Sequence, residues 1–475
     1  MIPSGATGAV GVPPLELSSD ARVAVIGGGP SGSLSAYFLL DLARQFGLRL
    51  GIDLYEPRDF TLTGPAGCNM CGGVISESLM QKMAAEGISL PREVLLDAID
   101  SYVLHTDSGS VAIRPLHDEM RIASIFRGAG PMGAESQSPL PWSSFDHHLL
   151  EMAKKQGAVH IARRVHHLER CADGRVRIHL APTRQGAEEV DETPDPYDLV
   201  IGCVGLNGAG VKLFEAFDFG YRPPKSDRAW VAELYMGAEE VRRRLGNAMH
   251  IFLLDVPGMK FAALTPKGHY ATFILLGEGV NEELARQVCH TRVIRELFPE
   301  GWETPVRPCH CLPRINVGPP TRPFGDRVVL VGDCASSRLY KDGIGAAYRM
   351  AKACAYTALT RGISAEAFRL GYWPACQEMD RDNRLGHLLF SMDGLLRHVP
   401  PFRRGILQVI GDEQQRTDDP RRMSSAMWDT FTGSSSYKEI FRRAGHPVIL
   451  WRLLVATLGA LLSGLAFWRG RGGAA

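Results

Sequence analysis

The 475-residue sequence predicts an α/β (α+β) fold: a parallel-sheet nucleotide-binding domain, an antiparallel sheet inserted into it, and a helical C-terminal appendage. Three observations carry that prediction. The segment Val23 to Leu40 passes from a β-branched strand through a glycine turn into an apolar-periodic helix. A second strand, turn and helix occupy residues 326–355. Between them, residues 228–276 alternate apolar and polar side chains in several successive runs, as antiparallel strands do.

The first 20 residues are rich in Gly, Pro and Ser, carry no basic or long apolar stretch, and read as a flexible lead-in. Residues 21–26 (ARVAVI) form a short strand followed by GGGPSGSLSAYFLLDLA, in which Gly27, Gly29 and Gly32 fill a G-x-G-x-x-G spacing. The first glycine permits a tight turn, the second lets backbone amides approach a pyrophosphate, and the third lets helix and strand pack closely. A further strand over residues 49–55 ends at Glu56, 24 residues past Gly32, near the offset at which a carboxylate takes a ribose hydroxyl. These features predict a Rossmann-like domain for a dinucleotide with an unphosphorylated ribose, FAD or NAD.

The choice of FAD comes from residues 326–355, DRVVLVGDCASSRLYKDGIGAAYRMAKACA: a strand, Gly332-Asp333, a loop, and Gly343-Ile344-Gly345 opening an alanine-rich helix. This arrangement resembles the distal motif of the aromatic-hydroxylase-like FAD enzymes of the glutathione-reductase-like superfamily. The resemblance implies Asp333 on the ribityl chain and the amides of Gly343, Ile344 and Gly345 beside the flavin pyrimidine edge. Lys341, just ahead of that helix, is a candidate for proton delivery or for holding an anionic substrate group, with a surface ion pair to Asp342 as the alternative. Residues 198–210 (DLVIGCVGLNGAG) resemble the middle motif of these enzymes, where a strand returns to the flavin domain. Hydroxylase members carry Asp-Gly where this chain has Val204-Gly205, which argues against aromatic hydroxylation. Gly208 and Gly210 lack the order of a dinucleotide loop, so no separate NAD(P) domain is expected.

Residues 63–83 read TGPAGCNMCGGVISESLMQKM. Their Cys71-Gly72-Gly73 resembles the Cys-Gly-Gly segment of the geranylgeranyl reductase family, flavoenzymes that saturate isoprenoid double bonds. The resemblance spans roughly residues 20–360. It implies that Gly27, Gly29, Gly32, Glu56 and Asp333 hold FAD and that Cys68, Cys71, Gly72 and Gly73 form the active-site loop, with Cys71 a candidate acid. Cys68 with Cys71, and Cys309 with Cys311, would form a redox disulfide or a metal or iron-sulfur site if brought together at the flavin. Reduced thiols are the simpler expectation, and no metal is expected. Phe145-Asp146 resembles a helix that re-enters the FAD domain in this group. The arginine usual before it is missing, and Arg127 is the candidate to make its cofactor contact. The pairs His147-His148 and His166-His167 are expected at the surface, because adjacent side chains point in different directions.

Basic and acidic residues number 53 and 52, with no long block of either sign, which excludes an electrostatic nucleic-acid footprint. Ten scattered cysteines fit reduced cytosolic thiols. Near the C-terminus, residues 447–468 (PVILWRLLVATLGALLSGLAFW) are apolar except for Arg452 and long enough for a bilayer of roughly 30 Å. A single span and a helix in the membrane interface are both expected forms, a buried core helix the alternative. The expected division is a lead-in at 1–20, FAD-binding segments at 21–100, 141–215 and 321–365, and substrate-domain segments at 101–140 and 216–320. A helical region at 366–445 and a membrane-anchoring helix at 446–475 complete it. The expected function is a cytoplasmic, membrane-associated FAD-dependent reductase of an isoprenoid or related lipid, with NAD(P)H or a reduced carrier as electron donor. The alternatives are a flavin monooxygenase, epoxidase or halogenase on a lipid or aromatic substrate, and an electron-relay flavoprotein of a membrane complex.

Overall fold

Strand Ala21–Ile26 lies in the middle of a six-stranded sheet, between Leu50–Tyr55 and Leu199–Gly202. Val159–Ile161 continues the sheet on one side, and Val328–Leu330 and Phe324–Gly325 on the other. All pairings are parallel except the last. A parallel sheet is covered on both faces, which is why residues 23–26 (VAVI), LVIG and VVL are continuous apolar runs that are buried throughout. Helices Pro30–Gln45 and Gly343–Thr360 pack against each other, with the rings of Phe38 and Tyr348 in edge contact at 5.4 Å. The computed structural model describes residues 15–70, 72–117, 120–128, 142–182, 194–301, 309–416 and 420–471.

The alternating region folds as expected into antiparallel strands, Ser226–Tyr235, Ala248–Leu253, Met259–Lys267 and Tyr270–Gly277. Cys309–Cys311 and Arg314–Asn316 extend one edge. Ser101–Thr106 joins the other in parallel, followed by Gly109–Ile113. The period of two sorts this sheet into faces. Trp230, Phe252, Leu264 and Phe273 face outward beneath helices Ala238–Leu245 and Glu282–Cys289. Val231, Ile251, Ala263 and Ile274 face inward.

Helices Trp373–His398, Pro400–Gln415, Arg422–Thr432, Tyr437–Ala444 and Pro447–Arg471 form the C-terminal region. The first two, one apolar stretch in the sequence, are separated at Val399, because a residue before proline is driven out of the helical conformation. These helices cover the inner face at one end of the antiparallel sheet. Ile406, Ile410, Trp428 and Ile449 form one core with Tyr102, Leu104, Met249 and Ile251. Trp428 donates its indole N–H to the Met120 carbonyl at 3.0 Å. The last helix is neither free nor wholly buried: Ile449 and Ala456 are covered while Trp451 and Leu462 are exposed.

Candidate functional site

The glycine turn is built for close approach. A Cβ on Gly32 would lie 1.7 Å from the Gly27 carbonyl oxygen, so helix and turn meet only because residue 32 has no side chain. Gly29 ends the turn and caps helix Pro30–Gln45, leaving the positive end of that helix facing a cavity. Glu56, 3 % exposed, accepts the Gly28 N–H at 3.0 Å and so ties the tip of the second strand to the turn. The two chain signatures meet at Gly332, where an added Cβ would sit 2.2 Å from the Ser31 hydroxyl. Asn316 fixes the turn that follows by donating to the carbonyls of Asp333 and Ala335 at 3.0 and 3.2 Å.

One continuous cavity of about 840 Å³ runs along this framework. Gly27, Gly29, Glu56, Arg127, Asp333, Gly343 and Ile344 line it, together with Gly72 and Gly73. Thus the structure brings residues over 300 positions apart in the chain to one groove. Burial raises the Asp333 carboxyl above its ordinary range, with a Ser337 hydrogen bond and the Arg127 charge opposing. Arg127 is gripped by Asp146 through two bonds of 2.7 Å, on the helix that begins at Phe145. Asn69 donates to Asp146 at 2.6 Å and accepts from Arg58, which in turn pairs with Glu56 at 3.0 Å. A polar chain from Glu56 to Arg127 therefore follows one wall. Arg58 and Asn69 escaped the sequence reading, although an arginine two residues beyond the ribose-type carboxylate was a usable signal.

Strand Leu199–Gly202 returns to the parallel sheet, as the middle segment was expected to. Solved FAD-dependent enzymes share this fold. A flavoprotein/dehydrogenase from Cytophaga hutchinsonii superposes with a TM-score of 0.58 at 12 % identity, covering 94 % of this chain and 100 % of that one. The halogenase PltM in complex with FAD gives 0.57 at 11 %, with coverage of 92 % and 95 %. A p-nitrophenol 4-monooxygenase from Pseudomonas putida gives 0.54 at 12 %, with coverage of 88 % and 98 %. No family model matches the chain. No curated protein matches it in sequence. At these identities the likeness is one of fold, and the glycine cradle, Glu56 and Asp333 are the residues of this chain that suit an FAD.

Beyond Asp333 the groove opens into a chamber walled by the inner face of the antiparallel sheet: Ala229, Val231, Met249, Ile251, Phe261, Ala263, Ile274 and Leu276, with Phe431 from the C-terminal helices. Thr265 is the exception. Its hydroxyl is fully buried and has no hydrogen-bond partner among the described residues. Beside it, Lys267 and Glu233 form a buried ion pair of 3.3 Å, and Thr272 donates to Glu233 at 2.9 Å. Lys267 also packs closely on the backbone at Gly73, where an added Cβ would lie 2.7 Å from its ammonium. A glutamate and a lysine at inward positions of otherwise apolar strands could have been read from the alternation. At the opposite wall Tyr340 donates its hydroxyl to Asp227 at 2.9 Å and accepts from Lys260 at 3.1 Å. Burial holds that phenol above its ordinary pKa, so it stays protonated at neutral pH.

Two expectations change. Lys341 is neither a surface ion pair nor an amine free to deliver protons: it is 8 % exposed, donates to the carbonyls of Asp429 (2.6 Å) and Ser435 (3.3 Å), and lies 4.2 Å from the Tyr437 ring. It clamps the C-terminal helices to the start of helix Gly343–Thr360. The Gly343 helix start is also not wholly open to a ligand, because the Asp342 carboxylate accepts the Gly345 N–H at 3.1 Å. The two cysteine clusters approach each other, Cys68 lying near enough to Cys309 and Glu233 for their charges to add to the rise that burial imposes on its thiol. Yet no metal-holding group of three or more His, Cys, Asp or Glu occurs among the described residues, and Cys68 is a free thiol. Cys71 lies outside the described residues. His148 is half-buried against the Ser89 carbonyl, while His166 and His167 are exposed at the cavity mouth.

Proposed function

We propose that this chain is an FAD-dependent oxidoreductase that reduces a carbon–carbon double bond of an isoprenoid or related lipid. The observation that carries this reading is the division of one cavity into a polar groove suited to a dinucleotide and an apolar chamber contiguous with it. Gly27, Gly29, Gly32 and Glu56 would hold the pyrophosphate and adenosine ribose, Asp333 the ribityl chain, and Arg127 the groove wall next to the active-site loop. When bound and reduced, the flavin supplies a hydride equivalent.

The protein's own residues supply the rest. The chamber walls exclude water and orient a flexible apolar molecule. An isolated alkene accepts hydride poorly and needs a positioned acid. Tyr340 holds a proton at its phenolic oxygen, linked to Lys260 and Asp227 for resupply, and Cys71 is the second candidate from the sequence. An external electron donor, NAD(P)H or a reduced carrier, would reduce the flavin before each turnover.

The test is anaerobic photoreduction of the holoprotein followed by mixing with geranylgeraniol. Flavin reoxidation with a product heavier by two hydrogens is expected. A reduced flavin inert to the lipid under argon, with oxygen consumption stimulated by substrate, would instead establish the second reading, a monooxygenase, epoxidase or halogenase on a lipid or aromatic molecule. That reading draws its support from the names of the halogenase and monooxygenase that share the fold.

A further inference from the structure

The C-terminal helix Pro447–Arg471 presents two opposite faces. Ile449 and Ala456 are buried in the core that roofs the chamber. Thr457 meets helix Pro400–Gln415 at Gly405, where an added Cβ would lie 2.6 Å from the Thr457 hydroxyl. On the other face Trp451, Leu454, Val455, Leu458, Leu461 and Leu462 recur at helical spacing and form one stripe, with Trp451 66 % and Leu462 64 % exposed. Large contiguous apolar stripes on a protein surface mark docking sites.

We propose that this stripe seats the protein on the surface of an anionic lipid bilayer, with the helix lying in the plane of the interface. Two observations select the bilayer and the orientation. Helix Pro447–Arg471 contains Arg452, Arg469 and Arg471 and no acidic side chain, so the segment that carries the stripe is positively charged. The helix is also bound along one side to Pro400–Gln415, which carries Arg403, Arg404, Asp412 and Glu413 and cannot follow it into hydrocarbon. Lipid can therefore cover only the stripe. Among the described residues no single helix is long and apolar enough to cross a membrane, and the pair Tyr437–Ala444 and Pro447–Ser463 reaches that length only across a 59° bend. The docking does not depend on which reaction the flavin performs.

The experiment is co-sedimentation of the full-length holoprotein, followed by flavin absorbance, with vesicles of phosphatidylcholine alone or mixed with phosphatidylglycerol. Binding to both is expected, stronger with phosphatidylglycerol, the increment disappearing at high salt. Leu454→Asp combined with Leu458→Asp, at two exposed positions, should weaken binding by about tenfold or more with flavin content and melting temperature unchanged. If that variant does not fold, quenching of tryptophan fluorescence by brominated phosphatidylcholine in the unaltered protein decides instead: quenching supports the proposal and its absence overturns it. Wild-type protein that ignores both vesicles, a folded variant that binds them as well as wild type, or a stripe buried in a dimer that the double substitution dissolves, would each overturn it.

Discussion

Glu56 illustrates how one carboxylate can serve both architecture and ligand. It holds the Gly28 amide and the Arg58 guanidinium while lining the groove. Glu56→Gln keeps the shape and removes the charge, so FAD titration of deflavinated protein should show a dissociation constant raised about tenfold. Thr265 presents the converse case. Its buried hydroxyl stabilises nothing among the described residues, so Thr265→Val should leave unfolding free energy unchanged or higher by about 1 kcal/mol. Tyr340→Phe separates acid from scaffold: flavin content should persist, and turnover should fall about a hundredfold or more with loss of the alkaline limb of its pH profile.

Among the strands, two buried pairs set distinct stability responses. Glu233 and Lys267 sit on neighbouring inward rows, and Glu233→Ala leaves the ammonium buried without its partner. Urea unfolding should register a loss of about 3–5 kcal/mol, largely restored when both residues are replaced by methionine. His105 and His250 bridge strands Ser101–Thr106 and Ala248–Leu253, their rings within 13° of parallel and linked edge to edge by a 2.8 Å nitrogen–nitrogen hydrogen bond. Burial lowers both from 6.5 to about 4. Because the folded pair stays neutral where the unfolded chain takes up protons, its stabilisation is complete above pH 6.5 and lost as pH falls toward 4. Urea midpoints should decline over that window in the wild type and less steeply when both histidines are replaced by phenylalanine.

For the molecule as a whole, the C-terminal helices are part of the chamber rather than a detachable tail. Removing residues 445–475 strips Ile449 and Ala456 from the core shared with Met249 and Ile251. Such a truncation should cost at least about 3 kcal/mol and expose apolar surface to a dye such as ANS, seen by calorimetry and fluorescence. Membrane docking is therefore tested by changing the exposed stripe and not by deletion.

Local features were legible before the fold was known because their chemistry is local: a turn with amides turned outward needs Gly27 to Gly32, a strand tip beside it needs Glu56, and a second tip needs Asp333. The alternation at residues 228–276 likewise declared an antiparallel sheet, since period two is a property of the strand itself. What Lys341 touches was not legible, because its partners, Asp429 and Ser435, lie some 90 residues on in a helical region whose packing no local pattern states. The same holds for Tyr340 with Asp227 and for Arg58 with Asn69. The sequence alone determined the two halves of a dinucleotide groove and an apolar C-terminal helix. Only the tertiary structure decided which side chains share the chamber and which face of that helix remains uncovered, because burial and pairing depend on distances between segments that the order of residues does not encode locally.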